Sequence, residues 1–116
     1  MKKTYVKAMI DDKVICERCE IANNPVTRFM GLMFRKGLGD SCGLMLEPCN
    51  EIHTFNMRFS IDVLTLSRDN EILAIFDSVK PWRVKPSVKN GRKVIELYPG
   101  EAERLGIKCG DIVKFL

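Results

Sequence analysis

Apolar positions fall into short runs rich in Val, Ile and aromatic residues, each closed by turn-forming residues. Runs of that kind predict strands, and the chain lacks the sustained periodicity of a helical protein. Thr4 to Met9 and Val14 to Ile21 read as a first pair of strands, with Asp11-Asp12-Lys13 at the turn. Asn24-Pro25 supplies an N-cap followed by proline at the first helical position. A short helix is therefore expected over Val26 to Met33, weakened by Gly31. Arg35 to Gly43, with three glycines, is expected to be a loop, and Gly43 to Leu46 a short buried strand.

The clearest hairpin runs from Ile61 to Leu66, through Ser67-Arg68-Asp69-Asn70, to Glu71–Phe76. Asp and Asn tolerate the left-handed backbone angles that such a turn demands. Lys93 to Tyr98 alternates as a further strand, and Pro99-Gly100 turns the chain. Glu101 to Leu105 then makes about one helical turn, ended by Gly106 as a C-cap would end it. Cys109-Gly110-Asp111 leads into a last strand, Ile112 to Leu116. The expected fold is α+β and mostly antiparallel β: a compact, partly closed barrel-like sheet with two short helices, in one domain over residues 1–116.

At 116 residues and 46% hydrophobic content the chain can bury one core without staples. Charged residues at 29% mark a globular chain rather than a disordered one. The net charge of +4 permits nucleic-acid binding without pointing to it. The opening residues are basic but carry no apolar run, so neither a secretory signal nor a membrane span is expected, and the expected location is the cytoplasm. Five cysteines, an odd number in a chain large enough to fold without bridges, make reduced thiols the default. The disulfide-forming intracellular proteins of hyperthermophiles are the exception to that default.

Chemistry concentrates in Pro48 to Asp62, which holds the only histidine, His53, with Cys49, Glu51, Arg58 and Asp62. A Cys–His pair can act as nucleophile and base. Four residues apart, the two share a helix face, but along an extended strand they lie about 13 Å apart. Thr54, Phe55 and Phe59 favour extension, so a catalytic Cys49–His53 dyad needs a bend between Asn50 and Ile52. The plainer alternative is a buried cysteine and a structural histidine. If Ile52 to Asp62 is extended, His53, Phe55, Met57, Phe59 and Ile61 share one face, and Thr54, Asn56, Arg58, Ser60 and Asp62 the other. The histidine then joins the apolar row. The polar row suits an anionic or carbonyl-bearing ligand, or is a solvated sheet face.

Cys16-Glu17-Arg18-Cys19 is a CxxC, and Cys42, Cys49 and His53 are further possible ligands for zinc. The motif lies in a strand-like run, where the two sulfurs point to opposite faces, and no second CxxC completes a site. No metal and no cofactor is assigned. Lys80 to Lys93 carries six basic residues, no acidic one, and Trp82. That composition suits phosphates and a stacked base, but a solvated loop edged with lysine is the plainer account. Trp82-Arg83, braced by Pro81, is sharper: an indole beside a guanidinium can wall a pocket and grip a carboxylate. Gly37-x-Gly39-x-x-x-Gly43 follows a helix rather than a strand and is set aside as a nucleotide loop.

The order of these blocks resembles a known family. Arg28-Phe29-Met30-Gly31-Leu32-Met33-x-Arg35, Gly43-Leu44-Met45-Leu46 and Pro48-Cys49-x-x-Ile52-His53-Thr54-x-x-Met57-Arg58 are similar to successive segments of the domain-of-unknown-function family 192. Ile61-Asp62-Val63, Pro81-Trp82-Arg83, Glu96-Leu97-x-x-Gly100 and Leu105-Gly106-Ile107-x-x-Gly110-Asp111 continue the likeness almost to the C-terminus. The resemblance implies a small, mostly β domain from a prokaryotic group whose members often carry an export signal. It implies no established reaction. Ser60 stands where that family usually has proline, which would interrupt a continuous strand. Asn70 replaces its usual hairpin glycine.

The leading expectation is a small-ligand-binding domain whose pocket is built around Pro48–Asp62 and takes a small anionic or carboxylate-bearing molecule. Arg28, Arg58 and Arg83 attract the anion, His53 stands by, Thr54 donates a hydrogen bond, Asp62 holds an arginine or caps the hairpin, and Met57 and Trp82 form apolar walls. An enzyme using Cys49 or His53, a hydrolase or transferase, is the second expectation. Nucleic-acid binding through Lys80–Lys93 is the third and is set behind both. No membrane partner is expected, and the sequence is silent on oligomeric state.

Overall fold

The structure, a computed structural model, describes residues 3–39 and 41–116. In chain order the elements are β1 (Tyr5–Ile10), β2 (Lys13–Ala22), α1 (Pro25–Met30), β3 (Gly43–Leu46), β4 (Ile52–His53) and β5 (Ile61–Leu66). β6 (Ile72–Val79), β7 (Val84–Lys85), β8 (Lys93–Leu97), α2 (Glu101–Arg104) and β9 (Lys114–Phe115) follow. Seven strands form one sheet in the order β6-β5-β8-β3-β2-β1-β9, and β4 pairs with β7 in a separate ribbon. Every pairing is antiparallel except β2 with β3.

The sheet curls until its two edges approach. Glu71, just before β6, bridges Ile112, just before β9, and Ile72 N–H donates to the Asp111 carbonyl at 2.8 Å. The result is a half-barrel with two short helices, the mostly antiparallel α+β architecture that the strand pattern implies. Among the described residues no helix is long and apolar enough to cross a membrane.

The middle strands are buried on both faces, so β3 is a continuous apolar run and β5 is buried along its whole length, its Asp62 and Thr65 included. Leu64, Leu66, Ile95 and Leu97 face the inner core with Ile72 and Ala102. Ile61, Val63, Leu44, Leu46 and Val94 face a second core, where Leu32, Ile52 and Met57 cover the sheet. Each such fully buried aliphatic side chain contributes about 1.5–3 kcal/mol. Gly43 marks the tightest strand contact: a Cβ there would lie 2.9 Å from the Glu96 carbonyl of β8.

α1 starts as the sequence indicates. The Asn24 side chain accepts Thr27 N–H at 2.9 Å, Thr27 Oγ1 accepts Asn24 N–H in return, and Pro25 opens the helix. It ends at Met30, ahead of Gly31, which takes φ 47°.

Two expectations about the cysteines are corrected. Along β2 the register slips, with Ala8 opposite Cys16 and Val6 opposite Cys19, so Glu17 and Arg18 bulge into solvent. Cys16 and Cys19 therefore point into the same core rather than to opposite faces. Cys16 is also bonded to Cys42, with Cα atoms 5.7 Å apart, so the five thiols are not all reduced. The parallel placement of β3 beside β2 brings Cys42, next to Gly43, alongside the bulge: Cys42 N–H donates to the Arg18 carbonyl at 3.0 Å.

Candidate functional site

The segment from Ile52 to Asp62 is not one strand. Its extended part is β4, with Ile52 opposite Lys85 and His53 opposite Val84 of β7. The chain then turns through Asn56, held at φ 61°, a left-handed conformation that asparagine reaches more readily than most residues. The two alternating rows expected over this segment are therefore corrected, and β5 begins only at Ile61.

Thr54 explains the turn. Its hydroxyl donates to the Lys80 carbonyl at 2.6 Å and accepts Arg83 N–H at 2.8 Å. Its backbone N–H donates to the Arg83 carbonyl at 2.8 Å, and its carbonyl accepts Trp82 N–H at 3.0 Å. Thr54 is fully buried. A side chain so committed shapes the loop instead of offering its hydroxyl to an incoming molecule.

Where α1 and the loop after it meet residues 49–57 and β8, a cleft of ≈ 70 Å³ opens. It brings together Arg28, Cys49, His53 and Met57 from the sequence-based candidates and adds Glu51 and Glu96. The guanidinium of Arg28 donates to the Pro48 carbonyl at 3.2 Å through Nη1, while its Nε is buried and has no hydrogen-bond partner among the described residues. A buried donor without an acceptor carries a desolvation cost that a bound acceptor would remove.

Glu96 sits in the middle of β8, beside Leu44 of β3 and Val63 of β5, on the sheet face that the cleft exposes. Only 4% of it is accessible, and among the described residues its carboxyl has no hydrogen-bond partner. Burial pushes its pKa up to about 8, opposed by the positive charge of Arg35. At neutral pH it is therefore largely a neutral carboxyl, able to donate. The other buried glutamate on this sheet face, Glu20, is satisfied: Arg35 grips both its oxygens at 2.9 Å and holds it below the ordinary carboxylate range.

Cys49 lines the same cleft and feels both Glu96 and Arg28. Its thiol donates to the Glu51 carbonyl at 3.0 Å, and burial pushes its pKa up. His53 is exposed rather than buried in a core, while it keeps the side it shares with Phe55. Its Nδ1 accepts Phe55 N–H at 3.2 Å, leaving Nε2 to carry the ring proton of the neutral form. The His53 ring stacks on Phe55 at 5.0 Å, and Phe55 meets Trp82 at 5.8 Å. Met57 returns from the turn into the core as a buried wall.

The remaining candidates lie elsewhere. Asp62 is fully buried on the opposite face of the sheet, accepting Ser78 N–H at 2.8 Å and Ala102 N–H at 2.9 Å. It ties β5 to β6 and to the first turn of α2, near to the capping role expected of it but without an arginine. Arg58 is exposed in the turn, and Arg83 leans on the Pro81 and Trp82 carbonyls at 3.4 Å. Lys80–Lys93 follows the outer rim through β7 before entering β8. Among the described residues no three His, Cys, Asp or Glu side chains converge to hold a metal.

Sequence reasoning missed Glu96 as a site residue. The signal was present: Val94-Ile95-Glu96-Leu97 places one acid inside an apolar run.

A curled half-barrel with a cleft at one face defines a small α+β domain class, and comparison with known proteins agrees. The chain belongs to the DUF192 family, described as Uncharacterized ACR, whose model matches residues 6–115. UPF0127 protein PF1050 of Pyrococcus furiosus is 32% identical over 93 residues, covering 78% of this chain and 79% of that one. UPF0127 protein PH1112 of Pyrococcus horikoshii is 32% identical over 98 residues, covering 82% and 84%. A crystal structure of a protein of unknown function from Novosphingobium aromaticivorans superposes with a TM-score of 0.83 at 27% identity, over 97% of this chain and 84% of that one. A Sinorhizobium meliloti structure at 22% identity and a TM-score of 0.81, covering 98% and 94%, shares the fold.

Proposed function

We propose that the protein is a binding domain that captures a carboxylate in the cleft between Arg28 and Glu96. The observation that carries this reading is the buried Nε of Arg28, without a partner among the described residues, in a cleft that also holds the buried Glu96 carboxyl. A guanidinium N–H and a neutral carboxyl O–H are both donors, and an incoming carboxylate supplies acceptors to each. At ≈ 70 Å³ the cleft suits a small acid group and is far below the several hundred Å³ of a whole-metabolite pocket.

His53 and Met57 belong to this site; Arg58, Asp62 and Thr54 act outside it. A nucleophilic Cys49 draws no support, since its thiol is held protonated by burial and is spent on a backbone carbonyl. Acetate titrated at pH 6 against a chloride control tests the proposal. Thermal stabilisation by acetate that disappears in Arg28→Gln is expected. Equal stabilisation of both proteins, or of neither, would sink it.

A further inference from the structure

Around the cleft mouth stand large apolar side chains that the fold leaves uncovered. Phe29 and Met30 of α1 line the cleft yet are 69% and 40% exposed. On its other side, His53 leads to Phe55 and Phe55 to Trp82 by direct ring contact, with Trp82 59% exposed. Val84, opposite His53 in the β4–β7 ribbon, is 60% exposed. His53, Phe55 and Trp82 thus form one connected strip that starts at the cleft, with Val84 beside His53.

The backbone works to present them. Trp82 is held at φ 64°, a region that bulky residues rarely occupy, by the hydrogen bonds from Trp82 and Arg83 to buried Thr54. Phe34, at φ 65° and 57% exposed, is held likewise by its N–H to the Asn56 carbonyl at 2.8 Å. Strained, exposed aromatics fixed by a buried clamp fit a contact surface better than a folding core.

We infer that the cleft and this strip together take an amphipathic monocarboxylate, its acid group seated between Arg28 and Glu96 and its unbranched apolar chain lying over His53, Phe55 and Trp82. The inference rests on the carboxylate reading of the cleft. The polar end is fixed by two donors in a volume that admits little else. The strip is the apolar continuation of that volume, reached over His53.

Trp82 is the only tryptophan, so its emission reports directly on chain binding. The test titrates acetate, decanoate below its micelle concentration, 1-decanol and N-acetyl-trileucine, following Tm and Trp82 emission. Decanoate is expected to bind at least roughly tenfold tighter than acetate, since each methylene removed from water adds to affinity. The emission should move to shorter wavelength. That gain should vanish in Trp82→Ala and in Trp82→Asn, the second chosen because asparagine tolerates a left-handed backbone. Acetate binding should survive in both. Tighter Arg28-dependent binding of the peptide than of decanoate would overturn the unbranched-chain seat and assign the strip to a peptide carboxyl terminus.

Equal, Arg28-dependent binding of acetate and decanoate would overturn the chain seat while leaving the acid seat intact. Retention of the full gain in both Trp82 variants would overturn it too. Decanol binding as tightly as decanoate, with no effect of Arg28→Gln, would overturn the carboxylate reading itself.

Discussion

Asp62 and Glu96 lie on adjacent strands one register position apart, yet on opposite faces of the sheet: Asp62 is opposite Leu97, and Glu96 is opposite Val63. Two buried acids in one strand pair therefore have separate roles. Asp62 accepts two backbone N–H groups, and Glu96 faces the cleft with no hydrogen-bond partner among the described residues.

Replacing Asp62 by alanine strands Ser78 N–H and Ala102 N–H, at a cost of roughly 2–5 kcal/mol in stability. Chemical denaturation should show this loss, and acetate should still raise the Tm of whatever folded protein remains. Loss of the acetate response with stability unchanged would place Asp62 in the site instead.

Glu96 gives the fold a pH dependence whose sign is fixed. Its folded pKa of about 8 lies above the ordinary 4.5, so the native state holds a proton that the unfolded state has released between those values. The stability this group allows is whole below pH 4.5, falls as pH rises through that window by at most roughly 1.4 kcal/mol per unit, and is flat above it. Glu96→Gln should remove this component, leaving the variant more stable than the parent at pH 9 relative to pH 5. Parallel stability profiles for the two proteins would contradict an unpaired Glu96.

Thr54→Val keeps the shape of the side chain but leaves Lys80 C=O and Arg83 N–H short of a partner. A loss of about 1–3 kcal/mol is expected, with restoration in Thr54→Ser. Because the clamp holds Trp82, the valine variant should also show faster quenching of Trp82 by acrylamide. Unchanged quenching would mean the loop is held by other contacts.

The Cys16–Cys42 bridge spans 26 residues. A loop of that length contributes on the order of 3–4 kcal/mol by restricting the unfolded chain. Reductant should lower the Tm of the parent and leave Cys16→Ser/Cys42→Ser unaffected. An identical response in both would exclude a contribution from the bridge.

Much of the fold was legible because local signals agreed with the global arrangement. Asn24-Pro25 set the start of α1, and the hairpin turn placed Asn70 at φ 68° where a left-handed residue was needed. The site was harder to read. Alternation across 52–62 assumed a strand that Thr54 breaks through bonds to residues 26–29 positions away, a long-range effect no local pattern encodes. The same limit hid the β4–β7 ribbon and the Cys16–Cys42 bridge, both of which depend on segments far apart in sequence meeting in space. Arg28, His53 and Met57, which line the cleft, stood out in the sequence by their side-chain chemistry. Glu96 was passed over because acids in strands usually face solvent, and only the double burial of β8 shows otherwise.

The most direct test follows the Glu96 carboxyl carbon by NMR in protein carrying 13C-labelled glutamate, assigned by its absence in Glu96→Gln. Without ligand the resonance should titrate near pH 8, and saturating acetate should move the midpoint higher, because a bound carboxylate favours the neutral acid. Titration in the ordinary glutamate range, or a midpoint indifferent to acetate, would contradict a carboxylate seat shared by Arg28 and Glu96.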